Sequence, residues 1–131
     1  MRRETMTGTG VKTIWVGRVV SILPCLVFLM SAGFKLKGGP ELLQGFAHVG
    51  LSPSMIIPLA ILEIACVVIY LIPPTSVVGA ILLTGLVGGA ICTHWRVSDP
   101  FWVQIILGNM IWLGLYLREP RLRSLIPLRT A

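Results

Sequence analysis

Carboxylates are scarce in this chain: five Asp and Glu stand against eleven Lys and Arg among 131 residues, for a formal charge of +6. Charged residues make up only 12% of the sequence, about half the share usual in soluble domains. Cysteine and histidine are as sparse, at three and two. Cys25, Cys66 and Cys92 each sit inside an apolar run, and none forms a Cys-x-x-Cys pair. That spacing disfavours disulfide-exchange chemistry and leaves them as small apolar packing residues. Two distant histidines without an acidic cluster give no basis for a metal site. No nucleotide-binding motif is present either.

What the chain has instead is apolar surface. It is 55% hydrophobic, with a mean hydropathy of +0.88, more than a soluble domain of this size can bury. The apolar residues gather in four stretches, 14–34, 54–72, 77–93 and 101–117. Each approaches the ~20 residues needed to cross a ~30 Å hydrocarbon core. The expected fold is therefore all-α, an integral membrane bundle of four transmembrane helices over 14–117. A tail of residues 1–13 precedes it and a basic tail of residues 118–131 follows, which leaves no room for a soluble catalytic module.

The positive residues sit beside the apolar ends, where they read as anchors to anionic lipid rather than as a nucleic-acid surface. Arg2, Arg3, Lys12 and Arg18 flank the first stretch, and Arg118, Arg121, Arg123 and Arg129 follow the last. Only Lys35, Lys37 and Arg96 fall on the opposite side. The positive-inside rule then makes both termini cytoplasmic. Basic residues ahead of an apolar run ending in Met30-Ser31-Ala32-Gly33 also imitate a signal peptide. The run is long for one and Arg18 interrupts its start, so a retained span is expected.

Pro73-Pro74-Thr75 is tight and uncharged, which suits a hairpin between the second and third spans. In the first external loop, 35–53, Leu42, Leu43, Phe46 and Val49 recur at helical spacing. They predict a short amphipathic interfacial helix between the first two spans. Trp15, Trp95 and Trp102 fall at the expected membrane boundaries, and Trp112 lies deeper.

One carboxylate, Glu63, lies near the middle of the second stretch. A charge at that depth costs at least ~2.5–3.5 kcal/mol and calls for a partner or a function. Counting ~1.5 Å per residue along antiparallel helices puts Glu63 level with Cys25, Thr84, Gly85 and Asn109. Those polar groups are expected to face inward. Arg18, about two turns nearer the cytoplasm, reaches toward Glu63 or snorkels to the headgroups. Two roles for Glu63 stay open: a proton-carrying or ligand-binding group, or glue that fixes helix register, paired with Arg18 or kept neutral.

Two rows of small residues, Ala80-Thr84-Gly88-Cys92 and Gly85-Gly89-Thr93, favour close helix approach. The alternative is a cleft beside Glu63 for a flat or chain-like ligand such as a quinone or lipid. At the outer end Lys35, His48, His94, Arg96 and Asp99 form a second polar group. There Asp99-Pro100 is expected to cap the fourth helix. His94 either holds a proton or headgroup or makes routine loop hydrogen bonds, and Lys35 is expected to approach it. The candidate ligand- or proton-binding residues are thus Glu63, Arg18, Asn109, Thr84, Lys35, His94, Arg96 and Asp99.

Gly17-Arg18, Ser31-Ala32-Gly33-Phe34-Lys35-Leu36, Pro58-Leu59-Ala60-Ile61-Leu62-Glu63 and Leu71-Ile72-Pro73 occur in order along the chain. Gly88-Gly89-Ala90, Thr93-His94-Trp95-Arg96-Val97-Ser98-Asp99-Pro100 and Leu117-Arg118-Glu119-Pro120 complete the set. In order and spacing these resemble the DoxX-like family. The resemblance implies a small four-helix protein of the bacterial inner membrane, related to the DoxD subunit of a thiosulfate:quinone oxidoreductase. Arg18, Lys35, Glu63 and the 93–100 stretch match the family pattern, which gives none of them a role. There is no haem-ligating His within a span, which speaks against independent oxidoreductase activity. The expectation is an accessory membrane subunit without catalytic activity of its own, binding a quinone (not covalently) or a lipid near Glu63. The alternatives are a quinone-linked redox subunit active only with a partner, and a small proton-coupled transporter or permeation subunit. The expected partners are the bilayer, a membrane or redox protein, and a second copy of the chain; nucleic acid is not expected.

Overall fold

The computed structural model describes residues 8–129. Arg2 and Arg3 of the expected cytoplasmic flank lie outside that range. The described residues form helices and turns with no strand: α1 (Gly8–Lys37), α2 (Pro40–His48), α3 (Ile56–Leu71), α4 (Ser76–Arg96) and α5 (Trp102–Arg118). Three segments are long and apolar enough to cross a membrane, Gly10–Lys37, Pro53–Leu71 and Pro73–Arg96. α5 is shorter, at 17 residues, or about 26 Å of helix.

The four long helices pack in a closed ring, α1 against α3 and α5, and α4 against α3 and α5. Neighbours run antiparallel. Short connections enforce this between α3 and α4, where the Pro73–Thr75 turn leaves helix-end carbonyls without partners. The Thr75 hydroxyl donates to the Ile69 carbonyl (2.8 Å) and the Ser76 hydroxyl to the Ile72 carbonyl (3.0 Å). At the end of α5, Arg123 donates to the carbonyls of Tyr116 (3.1 Å) and Leu117 (2.7 Å), a favourable place for a cation.

All four long helices meet at Tyr70, which is fully buried. Its hydroxyl crosses the ring from α3 and donates to the Ile111 carbonyl of α5 (2.7 Å), with Ser21 Oγ of α1 at 3.1 Å. Gly79 of α4 lies so close to Tyr70 that an added Cβ would strike its backbone. Gly17 and Gly114 do the same between α1 and α5, where a Cβ at Gly17 would sit 2.7 Å from the Arg118 nitrogen and one at Gly114 would meet Ser21. Val67, Leu83, Ile111 and Leu115 fill the layer around Tyr70.

Close approach is thus made by Gly17, Gly79 and Gly114, not by the rows expected to provide it. A Cβ at Gly85, Gly88 or Gly89 would meet nothing within 4 Å. Those glycines thin one side of α4 without drawing a neighbour onto it. Gly79→Ala should therefore destabilise the protein by ~1–3 kcal/mol, as overpacked cores do. Gly88→Ala should be neutral, or stabilising by up to ~1 kcal/mol through helix propensity. Unfolding of both variants in one detergent tests this, and equal losses would refute the assignment.

Candidate functional site

Glu63 is paired with Lys35, not with Arg18. A helical side chain leans toward the N-terminus of its helix. Lys35, in the last turn of α1, therefore reaches back over Ser31, and its Nζ donates to Ser31 Oγ (2.6 Å) and to Glu63 Oε1 (2.9 Å). Ser31 Oγ stands a further 3.4 Å from the same carboxylate oxygen. Both ionic side chains are almost buried, at 13% and 12% exposure, so neither is neutralised by solvent and each depends on the other. The second carboxylate oxygen, Oε2, is buried and has no hydrogen-bond partner among the described residues.

The ion pair borders a cavity of about 770 Å³ enclosed by α1, α2, α3 and α4. Its walls are mostly aliphatic and aromatic, with Phe28, Leu59 and Leu86 among them, and Cys66 is also in its lining. Gly85 and Gly89 line the α4 side, so their missing side chains account for part of the space. Leu62 and Leu82 line it as well, and both are exposed. The cavity is half-open, with exposed lining residues on α2, α3 and α4. Lys35, Glu41, Glu63, Thr93 and His94 supply its polar groups. Lys35 and His94 thus border one space. The volume lies within the ~300–1,000 Å³ range of small-molecule pockets, which likewise pair apolar walls with few polar groups.

α2 covers this space, with Phe46 and Val49 buried against it. The cover begins at Gly38 and Gly39, whose φ values of 72° and 126° suit glycine. Its other end is tied to the α4–α5 connection. His48 Nε2 lies 2.9 Å from Asp99 Oδ2, and His94 Nδ1 lies 3.4 Å from the same oxygen. The hydrogen bond from His48 is the main cause holding the Asp99 carboxyl below its ordinary value; desolvation opposes it and His94 adds to it. Arg96 donates to the Val49 carbonyl. Asp99 is consequently not the cap of α5, which starts from Phe101 with no side-chain cap.

The remaining candidates stand apart from this cavity. Arg18 is exposed, stacks on Trp15 at 4.8 Å and borders a separate 110 Å³ recess with Arg118 and Glu119. The antiparallel register explains the separation, because Tyr70 of α3 is level with Ser21, which sets Glu63 about two turns further along α1. The expected mid-depth layer therefore does not assemble around Glu63. Thr84 and Asn109 are exposed and do not line the cavity. Each hydrogen-bonds a carbonyl one turn back, Thr84 to Ala80 (2.7 Å) and Asn109 to Ile105 (2.9 Å), so neither needs the interior. Thr84 also accepts from Trp112 Nε1 (2.7 Å).

Ser31 is a site residue that the residue patterns did not single out, and the helix predicted around Phe46 was expected in the interface, not as the cover of a cavity. The i,i+4 spacing of Ser31 and Lys35 was the available signal. Apolar membrane-crossing helices arranged around a half-open cavity define a multi-pass membrane protein suited to a bilayer. The chain belongs to the DoxX-like family, whose sequence pattern matches residues 19–117. No curated protein and no solved structure matches it.

Because each partner of the ion pair is enclosed, Glu63→Leu or Lys35→Met alone should cost ~3–5 kcal/mol. Lys35→Met with Glu63→Leu should recover most of that loss. A double-mutant cycle of unfolding in detergent measures the coupling, and additive losses would refute it.

Proposed function

We propose that this protein is an accessory subunit of the bacterial inner membrane that holds a hydrophobic, chain-bearing ligand, a quinone or a lipid, in the cavity beside Glu63. The observation that carries this reading is a half-open, mostly apolar cavity of about 770 Å³ bordered by a nearly buried ion pair. Apolar walls accommodate a chain, and the Lys35–Glu63 pair fixes a polar head. In this reading α5 crosses the bilayer with α1, α3 and α4, giving four spans, and α2 lies in the outer interface. Lys12 and Arg18 at the start of α1 and Arg118, Arg121 and Arg123 at the end of α5 support a cytoplasmic location for both termini. Reporter fusions at Thr75 and after Arg129 should then report cytoplasm, and fusions near Gly39 and Ser98 the outside.

The ligand assignment is tested by native mass spectrometry of the full-length protein extracted from its own membrane. A lipid or quinone adduct is expected. In Gly89→Leu, whose side chain enters open space, the adduct should fall at least about tenfold, the effect of ~1.4 kcal/mol, with an unchanged melting temperature. Equal adducts in both proteins would overturn the assignment.

A further inference from the structure

The start of α1, the end of α5 and the turn before α4 border a second recess, which shares no lining residue with the cavity. Its volume is about 110 Å³, and Arg18, Arg118, Ser76 and Glu119 line it together with Ile14 and Leu115. A single water requires only ~10–15 Å³, so there is room for a tetrahedral phosphate group. Neither guanidinium has a carboxylate within ion-pair distance among the described residues. Arg18 is exposed and rests on the Trp15 ring at 4.8 Å. Arg118 lies over the Tyr70 ring at 4.6 Å and donates to its carbonyl (3.0 Å). A ring or a carbonyl orients a guanidinium but leaves its formal charge uncancelled. Glu119, the one carboxylate in the lining, accepts from the Arg121 backbone nitrogen (3.3 Å). α4 also begins here, with Ser76 as its first residue; Thr75 gives it no side-chain cap, and its first turn holds no acidic residue. The start of a helix carries partial positive charge and favours an anion. Two arginines against one glutamate leave the recess one positive charge in excess, which a single phosphodiester balances.

We propose that this recess binds the phosphodiester of an anionic phospholipid, held between Arg18 of α1 and Arg118 of α5. The planar fork of arginine matches phosphate oxygens, and an exposed arginine has the reach to turn onto one. The surroundings favour a group carried on a lipid. Ile14 and Leu115 are apolar, and Trp15 beside Arg18 is 59% exposed, an amphipathic ring suited to the headgroup level. Basic pockets between helices on the cytoplasmic side suit anionic heads, and this end of the bundle faces the cytoplasm in the reading above. A basic surface attracts anionic lipid through charge alone. A recess adds a position, so which arginine is removed should matter.

The test titrates the full-length protein in a non-ionic detergent under native mass spectrometry. The probes are dioleoylphosphatidylglycerol and dioleoylphosphatidylcholine, two phosphodiesters with the same tails, of which the second is net neutral. Phosphatidylglycerol should bind about tenfold or more tightly, and Arg18→Gln should remove about that factor, as expected for hydrogen bonds between charged groups. Arg121→Gln removes an equal charge from an exposed residue outside the lining, and should change the affinity less than about twofold. Glu119→Gln should tighten binding by about twofold or more. Should Arg18→Gln fail to fold, Glu119→Gln decides, and unchanged or weaker binding would overturn the proposal. So would equal losses in Arg18→Gln and Arg121→Gln, or affinities for the two lipids within twofold. The lipid should resist an equal concentration of sn-glycero-3-phosphoglycerol; displacement would reassign the recess to a free phosphodiester. The Arg18→Gln loss should persist with Gly89→Leu present, and its disappearance would place the lipid in the cavity instead.

Discussion

The packing of this protein depends on Tyr70. Its hydroxyl ties α3 to the backbone of α5 and to Ser21 of α1, its own backbone receives Gly79 of α4, and Arg118 covers its ring at 4.6 Å and donates to its carbonyl (3.0 Å). In an apolar surrounding each of these polar groups would otherwise lack a partner. Meeting them at one residue brings four helices together at one level. The glycines that permit the approach lie where backbones touch, and side chains fill the remainder of that layer.

Beyond that layer the helices have less to pack with. α4 presents Gly85 and Gly89 where large side chains would have closed the interior. The cavity is therefore the counterpart of the tight layer, since one set of glycines brings helices together and another leaves space between them. Lys35 and Glu63 stabilise the rim of that space. Their attraction offsets the cost of enclosing two charges only because both remain in place, which couples α1 to α3 at the end remote from Tyr70. α2 then closes the top, fastened through His48, Asp99 and Arg96.

Much of this was legible in the residues, and what was not has a physical cause. Apolar run length announced the long helices, and the spacing of Leu42, Phe46 and Val49 announced a helix where α2 forms. Composition also made Glu63 the focus. Its partner was harder to read, because counting residues from helix ends assumes helices centred at one depth. α1 runs for 30 residues and α3 for 16, so the true register shifts Glu63 from Cys25 toward Ser31. Thr84 and Asn109 misled for another reason. A hydroxyl or amide that bonds to its own helix carries no information about which way it faces. Gly79 and Gly89 look alike in a sequence, and only the neighbouring helix tells contact from vacancy.

The fully buried layer around Tyr70 also has a consequence for the barrier the bilayer must maintain. Val67, Tyr70, Leu83, Ile111 and Leu115 leave at most 1% of their surfaces open, and Cys66, in the cavity lining, directly precedes Val67. The cavity is thus a cup with a closed floor, not a pore. The buried side chains of that layer close the cavity at its inner end and separate it from the helix ends beyond Tyr70. A path for ions through a single copy would require parting the hydrogen bonds and glycine contacts that assemble the fold.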